Sequence, residues 1–483
     1  MKKLIVVDHA NDWPEQLEDV TVTTAAQYLS GSEVQPGARI YNLCRSYSYQ
    51  STGYYVSLLA SARGQKPLPD VMTTQDIRSR SLWRSAGSEL NTLIQSGLKS
   101  LSGDEFVLSV YFGRNLAKRH DRLARALFNL FPAPLLRARF VRHSQWELVS
   151  LRTIPLGDIP VSHREFLHLA AAEHFKSRQR RRRTGRSARF DLAILTNPDD
   201  PQPPSNPEAL KRFEKAAIKL GFAVSFIDRQ DYGRLNEFDA LFIRETTLVN
   251  HHTYRFARRA ALEGLAVIDD PDSILRCTNK VFLAELLQRR GINTPPSMIV
   301  HAGNADKVVS QLGLPCVLKQ PDGAFSAGVI KVNDEQELAL GLKRFFKQSD
   351  LVLAQRFVPT EFDWRIGLLE GKPMWACRYY MANQHWQIIR RDEQGNIVEG
   401  EADSLPLDQV PPRVLETARK AACAIGQGLY GVDLKANGDD VWVIEVNDNP
   451  NIDAVTEDAC LGPQLYTQIM ESLLRHVLRE PAR

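Results

Sequence analysis

From Phe190 onward the chain alternates strand and helix. "FDLAILTN" reads as a strand and "PEALKRFEKAAIKLGF" as a helix with Pro207 near its start and Gly221 at its end. "AVSFID" and "FDALFIRE" read as strands, "TYRFARRAALEG" as a helix and "LAVIDD" as a further strand. Parallel strands need a crossover of about a dozen residues, which a helix fills, so this spacing predicts βαβ units on a parallel sheet ending near Asp272. No other feature restricts the fold as much.

Upstream, "KLIVVD", "ARIYNLC", "FVLSVYF" and "ELVSLRTI" have the look of strands, and "GYYVSLLASARG" and "DRLARALFNLF" of helices, which predicts a mixed α/β domain over residues 1–173. Between the two lies "KSRQRRRRTGRSARF", Lys176 to Phe190, with eight basic residues and no acid. The whole chain carries a formal net charge of +4, so the remainder sums to −4 and is mildly acidic. Like charges with almost nothing apolar to bury predict a solvated, protease-sensitive linker over 174–188. No aromatic interleaves the arginines and no reading motif accompanies them, so nucleic acid is not an expected partner.

The apolar run at the N-terminus stops at Val7, too short for the core of a signal peptide, and no run reaches membrane-spanning length. The six cysteines are scattered with no CxxC pair, which argues for reduced thiols in a cytoplasm and against disulfides or zinc.

From Ser273 the pattern changes. "SILRCTNKVFLAELLQRRG" reads as one helix, followed by strands "PSMIV", "PCVLKQ", "GVIKV" and "LVLAQRFV" with helices "NADKVVSQLG" and "DEQELALGLKRFFKQ" between them. "DWRIGLLEGKPMWACRYY" reads as a hairpin turning at Glu370-Gly371, and "RVLETARKAACAIGQ" as a helix before a closing hairpin and a final helix. No internal repeat is evident. The GxGxxG of Gly426, Gly428 and Gly431 follows a helix and precedes a strand, the reverse of a dinucleotide fingerprint, so it predicts a helix terminus.

The chemistry concentrates in the closing hairpin, "GVDLKANGDDVWVIEVN". Alternation sends Val432 and Leu434 to one face and Asp433 and Lys435 to the other; on the return strand it groups Val443 with Glu445 and Asn447. A two-residue Asn437-Gly438 turn would pair Asp433 with Trp442 and part the acids; a three-residue loop, Gly438 to Asp440, would pair Asp433 with Glu445. In the second register two carboxylates and an amide share a face, an arrangement that repels itself without a cation and suits Mg2+. A turn-proximal acid on a solvated strand face would explain the hairpin equally well on its own.

Upstream residues favour the metal. Lys319 ends the strand "PCVLK" before a turn of small residues that could lay backbone N–H groups on phosphate oxygens, and Lys280 sits early in a helix of the same region. Gln355, Arg356, Phe357 and Val358 end an apolar strand and offer an adenine a backbone edge with apolar walls, with Glu361 and Asp363 following as candidates for ribose hydroxyls.

In this order and spacing the chain resembles an ATP-grasp ligase, and "DWRIG", "GVDL" and "EVNDNPN" are similar to the RimK-like branch, which joins a carboxylate to an amine and often adds glutamate to a peptide or protein. "IYNLCRSYSYQSTGYYVSLLASARG" resembles the extra N-terminal domain of some RimK-like proteins, and "FDALFIRETT" with "VIDDPDSILRCTNK" the pre-ATP-grasp domain of that subgroup. The resemblance implies an α/β fold of three parts: an N-terminal α/β domain at 1–173, a pre-ATP-grasp parallel-sheet domain at 189–272 and, at 273–483, an ATP-grasp domain whose two α+β lobes clasp ATP. It implies that Lys280 and Lys319 bind phosphates, that Gln355 to Val358 meet adenine and that Asp363 or Glu361 meets ribose. Asp433, Glu445 and Asn447 would hold two Mg2+ ions, or Mn2+ in their place, and Arg365 and Arg378 would neutralise charge near an acyl phosphate. Partners would be a small-molecule or peptide carboxylate and an amino-acid amine, with a homo-oligomer left open and no membrane. Two departures stand out: the flap has only Gly323 and Gly328 with Phe325 between them, and "YYMANQHWQIIRRD" replaces the arginine–asparagine–diglycine segment of better-known RimK-like ligases. The rival reading is an ATP-binding regulatory protein without ligase turnover. The run "NLCRSYSYQSTGYY" is a candidate substrate or partner surface, or equally a structural core edge.

Overall fold

The computed structural model describes residues 3–14, 17, 20–31, 38–78, 87–176, 188–322, 328–382, 386–391 and 397–478. The arginines from 178 to 186 and flap residues 323–327 therefore lie outside the described residues. The chain forms two compact units, Met1–Gly185 with Gln230–Asn236, and Arg186–Arg229 with Glu237–Arg483. Among the described residues no helix is long and apolar enough to cross a membrane.

The first unit holds a four-stranded parallel sheet in the order Val20–Thr24, Lys3–Val7, Arg39–Asn42, Lys66–Leu68. It also holds a three-stranded antiparallel sheet of Glu105–Tyr111, Leu135–Arg142 and Trp146–Thr153. Three of these strands escape a reading by pattern. Val20–Thr24 is an edge strand with no fully buried residue, Lys66–Leu68 is three residues long, and Leu135–Arg142 interleaves arginines with its buried positions.

The second unit opens on a parallel sheet in the order Phe222–Ile227, Phe190–Leu195, Ala240–Ile243, Ala266–Ile268. Its helix Pro207–Lys219 starts on Asn206, whose Oδ1 accepts from Ala209 N–H at 2.9 Å. Two antiparallel sheets follow. One runs Ser297–Val300, Val352–Arg356, Cys316–Lys319, Val329–Val332; the other runs Ala402–Leu405, Lys372–Tyr380, Phe362–Leu369, Leu429–Asn437, Asp440–Asn447. The final helix, Pro463–Leu478, returns to the parallel sheet and buries Tyr466, Ile469 and Leu473 against Phe213 and Phe242. The chain is thus α/β, with two antiparallel α+β lobes after the second parallel sheet.

The stretch expected as one helix from Ser273 is two, Pro271–Thr278 and Lys280–Arg289. Asn279 breaks it: its backbone is extended and its side chain caps the second helix by accepting from Phe282 N–H at 2.9 Å. The hairpin at Glu370-Gly371 forms as expected, with both residues at positive φ, 51° and 74°, the combination a tight two-residue turn requires.

A repeat is present that the sequence does not display. Both parallel sheets have the strand order second–first–third–fourth, and their third and fourth strands share a register, Arg39 opposite Lys66 and Ala240 opposite Ala266. Helices Thr52–Ala62 and His252–Leu262, strands Lys66–Leu68 and Ala266–Ile268, and helices Val71–Arg78 and Pro271–Thr278 match one for one, each pair 200 positions apart. Gln65 N–H donates to Ala60 O at 2.9 Å, and Leu265 N–H to Ala260 O at 2.9 Å. Asp70 and Asp270 both cap their helices, accepting from Thr73 and Ser273 N–H. Over the 27 paired positions from 52 and 252 only Tyr54/Tyr254, Ala60/Ala260, Gly64/Gly264 and Asp70/Asp270 are identical, so burial kept its periodicity while side chains diverged.

Candidate active site

A cleft of about 690 Å³ in the second unit is lined by all three of its sheet layers. The parallel-sheet layer supplies Pro204, Thr246 and Thr247; the first antiparallel lobe Lys280, Lys319 and Gln355 to Val358; the second Asp363, Arg365, Asp433, Glu445 and Asn447.

The closing hairpin reaches the shared-face register by neither expected turn. The turn is two residues, Gly438 and Asp439, closed by Asn437 opposite Asp440, and that spacing continued inward would set Asp433 against Ile444. A bulge between Asp433 and Leu434 shifts the register by one, and Asp433 faces Glu445. Val443 does not share the face of Glu445, as plain alternation suggested. Val441, Val443 and Val446 all face the core, at 5%, 1% and 0% exposure. Burying three valines is worth about 1.5–2 kcal/mol each, against roughly 1 kcal/mol for a ladder hydrogen bond lost at the bulge, so the core sets the register. Asn293 covers the outer edge, donating to Val441 O at 2.7 Å and accepting from Val443 N–H at 2.9 Å. Gly431, opposite Asn447, has no room for a side chain: a Cβ there would lie 2.7 Å from Pro450 Cβ.

Each of the two acids among the candidate metal ligands carries a protein cation. Arg365 donates to both oxygens of Asp433, at 2.7 and 2.8 Å, and Asn447 Nδ2 donates to Asp433 Oδ2 at 3.2 Å. Lys280 Nζ lies 2.8 Å from Glu445 Oε1. Burial alone would raise the Glu445 pKa; the charge and hydrogen bond of Lys280, with Lys319 and Arg365 behind, outweigh it and hold the carboxyl below its ordinary range. Asp363 is paired with Lys435 at 2.6 Å and Thr360 at 3.1 Å; burial nevertheless raises its pKa above the ordinary range.

Lys319 differs from these. It is 7% exposed, and its Nζ has no hydrogen-bond partner among the described residues. Burial lowers its pKa to about 8, against the pull of Glu445 and with the push of Lys280. A buried ammonium without a partner is costly unless an anion arrives. Without ligand, stability should rise with pH between about 8 and the ordinary 10.5, because the unfolded chain binds more protons there. Anion binding has the opposite sign. Nucleotide affinity should fall as pH climbs through 8, and Lys319→Ala should weaken it by about 1–3 kcal/mol at pH 7 and flatten that dependence. Calorimetry from pH 6.5 to 9 reads both, and an unchanged affinity in the variant returns Lys319 to an ordinary lysine.

Gln355 is buried within the ladder, and Arg356 N–H is taken by Pro296 O at 2.8 Å, which leaves the Val358 N–H without a partner among the described residues. Lys331 Nζ sits 4.1 Å above the Phe357 ring, and Trp386 meets the same ring edge-on at 6.0 Å. The Arg356 guanidinium turns away and donates to Leu312 O.

Glu361 and Arg378 do not line the cleft, a correction to both expectations. Arg378 pairs across the sheet with Trp364, whose side chain is in the core, while Arg365 pairs with Cys377 on the opposite face. Alternation therefore turns Arg378 away from Arg365, and it pairs with Asp403 between the Phe362 and Tyr380 rings. Glu361 is exposed and lies just before the strand, which begins at Phe362, so the alternation that places Asp363 does not extend to it.

Sequence reasoning gave no role to three residues of this region. Lys435 neutralises Asp363. Asp448, 3% exposed with an unpartnered Oδ2, is pushed by burial to a pKa of about 7. Arg244 is fully buried and donates to Ser205 Oγ at 3.1 Å, Asn449 Oδ1 at 2.7 Å, Pro450 O at 2.9 Å and Pro204 O, tying the parallel sheet to the turn after Asn447. The alternation had Asp433 and Lys435 on one face, so Lys435 was within reach of the pattern; Arg244 was not.

Residues 25–170 match the model of the RimK-like ATPgrasp N-terminal domain, and residues 277–452 that of the ATP-grasp domain. The chain is a RimK-like ATP-grasp protein. Among curated relatives, the probable alpha-L-glutamate ligase of Nitrosococcus oceani is 23% identical over 52% of this chain and 80% of its own length. The ribosomal protein bS6–L-glutamate ligase of Salmonella paratyphi B is 23% identical over 56% of this chain and 93% of its own. The D-alanine–D-alanine ligase of Geobacter sulfurreducens is 28% identical over 37% and 57%. This RimK-like protein belongs with the ATP-grasp ligases, a family of enzymes that form C–N bonds.

Proposed function

We propose that the protein is an ATP-dependent carboxylate–amine ligase acting through an acyl phosphate. The observation that carries this is Lys319, a buried and unpartnered ammonium in the same cleft as Asp433, Glu445 and Asn447. Lys280 and Lys319 would hold the phosphates of ATP, the Val358 N–H and the apolar wall of Phe357 the adenine, and Asp363 the ribose.

Two carboxylates and an amide on one sheet face are hard oxygen donors of the kind Mg2+ takes, so Asp433, Glu445 and Asn447 fit the two ions this reading calls for, Lys280 and Arg365 standing on the two acids in their place. Bound Mg2+ supplies charge neutralisation of the β- and γ-phosphates. Arg365 keeps Nη1 free of Asp433 and would face the acyl phosphate. The substrate carboxylate oxygen attacks the γ-phosphorus and ADP leaves; the amine then attacks the acyl carbon, phosphate leaves and the amine proton is released. The protein's part is positioning and electrostatics, so no nucleophilic side chain is needed.

The names of the relatives support glutamate as the amine, and the cysteine pattern supports a cytoplasmic setting. The test is incubation with MgATP and pooled amino acids and peptides, reading ADP and phosphate release against new product masses. Release that depends on an added amine, with a product gaining one amino-acid residue, is expected. Nucleotide binding with no amine-dependent release would favour a regulatory ATP-binding protein instead.

A further inference from the structure

The repeat gives the first unit a crevice whose counterpart in the second unit lines the cleft. Ligands of open parallel sheets bind outside the carboxyl ends of the strands, where the strand order reverses, and in both copies that point lies between the first and third strands. Leu43 N–H donates to Val6 O at 2.9 Å, as Arg244 N–H does to Leu195 O at 2.8 Å, so Arg45, Ser46 and Tyr47 stand where Thr246, Thr247 and Leu248 line the cleft. The loop from Arg45 is held in place. Gly53 lies beneath it so closely that a Cβ would sit 2.4 Å from Ser46 O, Ser51 Oγ donates to Ser46 O at 2.8 Å, and Tyr47 OH donates to Asn42 O at 2.6 Å.

Arg45 is 52% exposed. Its N–H is taken by Asp8 Oδ2 at 2.6 Å and its Nη2 by Asp12 Oδ1 at 3.1 Å, which leaves Nε and Nη1 without partners among the described residues. Beyond it Tyr49 is 66% exposed, and Tyr49, Tyr54 and Tyr55 form a ladder of edge-on rings spaced 5.2 and 5.4 Å. We propose that this crevice binds an extended peptide through a carboxylate, Arg45 taking the acid and the tyrosine ladder the chain beside it. An isolated carboxylate can reach the free edge of the guanidinium, whereas Asp8 and Asp12 would repel a string of phosphates, which disfavours single-stranded nucleic acid.

This deepens the ligase reading by giving a polypeptide acceptor a docking place, and it rests on that reading only for the use of the bound chain. The test is a fluorescence anisotropy titration of the full-length protein, without ATP, using a labelled Gly-Ser decapeptide carrying two adjacent glutamates. Saturable binding is expected, weakened about tenfold or more by Arg45→Glu and by glutamine in place of the glutamates, and within about twofold for Arg122→Glu, a charge-matched change at an exposed position of the helix Asp121–Leu130. Circular dichroism checks the fold, and Tyr49→Ala should weaken binding without a charge change. No saturable binding, equal losses in Arg45→Glu and Arg122→Glu, Arg45→Glu unchanged, or tighter binding of oligouridine than of the peptide would each overturn the proposal. Because ATP is absent, such a failure leaves the ligase reading intact, and a protein that binds the peptide but releases no phosphate fails that reading alone.

Discussion

Glu445→Gln is expected to lower amine-dependent phosphate release by about three orders of magnitude at saturating Mg2+, with the fold intact and nucleotide affinity changed by less than about tenfold. Glutamine keeps the volume and an oxygen facing Lys280, so local packing is preserved. What disappears is the charge, and the charge is what the site is built to hold: burial opposes it, and Lys280, Lys319 and Arg365 jointly overcome that opposition. An oxygen donor so supported would suit the proposed Mg2+. The 7%-exposed Lys280 would then face a neutral amide, a cost of about 1–2 kcal/mol without nucleotide. Turnover kinetics, calorimetry and circular dichroism separate these effects. Turnover within tenfold of wild type would remove Glu445 from the proposed metal site.

Arg244→Met should destabilise the second unit by about 2–4 kcal/mol, read as a lower urea midpoint. Replacing a buried charge by a hydrophobe is often harmless, so the acceptors left behind decide the outcome. Here they are the carbonyls of Pro204 and Pro450 and the side chains of Ser205 and Asn449, which lose their donor in a site closed by Phe213 and Phe242, 5.9 and 5.4 Å from the guanidinium. Burial already lowers the Arg244 pKa to about 10, against the pull of Asp269, yet the group stays charged at neutral pH. Because Asn449 and Pro450 lie two and three residues after Asn447, ligation should fall together with stability. An unchanged midpoint would show that the carbonyls find water instead.

The parts of this protein that pattern reveals are those whose reason is local. Strand–helix alternation after Phe190 follows from side-chain periodicity, and the tight turn at Glu370-Gly371 from a short-range requirement for positive φ. The cleft residues Lys280, Lys319 and Asp433 stand out in the sequence because a charge at the start of a helix, at the end of an apolar strand or within one breaks a pattern that is otherwise continuous. Arg378 lies outside the cleft because it pairs with Trp364, one position from Arg365, and so takes the other face; only the pairing partner says which arginine meets the cleft.

By itself the sequence determined where most strands and helices lie and which charges interrupt apolar runs, and therefore that the second half could gather lysines and carboxylates at one site. Tertiary structure alone decided the register of the closing hairpin. A two-residue turn would have misaligned Asp433 and Glu445, and the burial of Val441, Val443 and Val446 forces the bulge that brings them opposite each other. It decided the break at Asn279, where Lys280 N–H donates to Pro321 O at 2.7 Å and two segments forty residues apart hold each other. It also decided the match between the two parallel sheets, which keep four identities in 27 positions because a sheet and its helices demand only that the right positions be apolar and small enough. Local chemistry writes periodicity into the chain; contacts between distant segments choose among the registers and faces that periodicity allows.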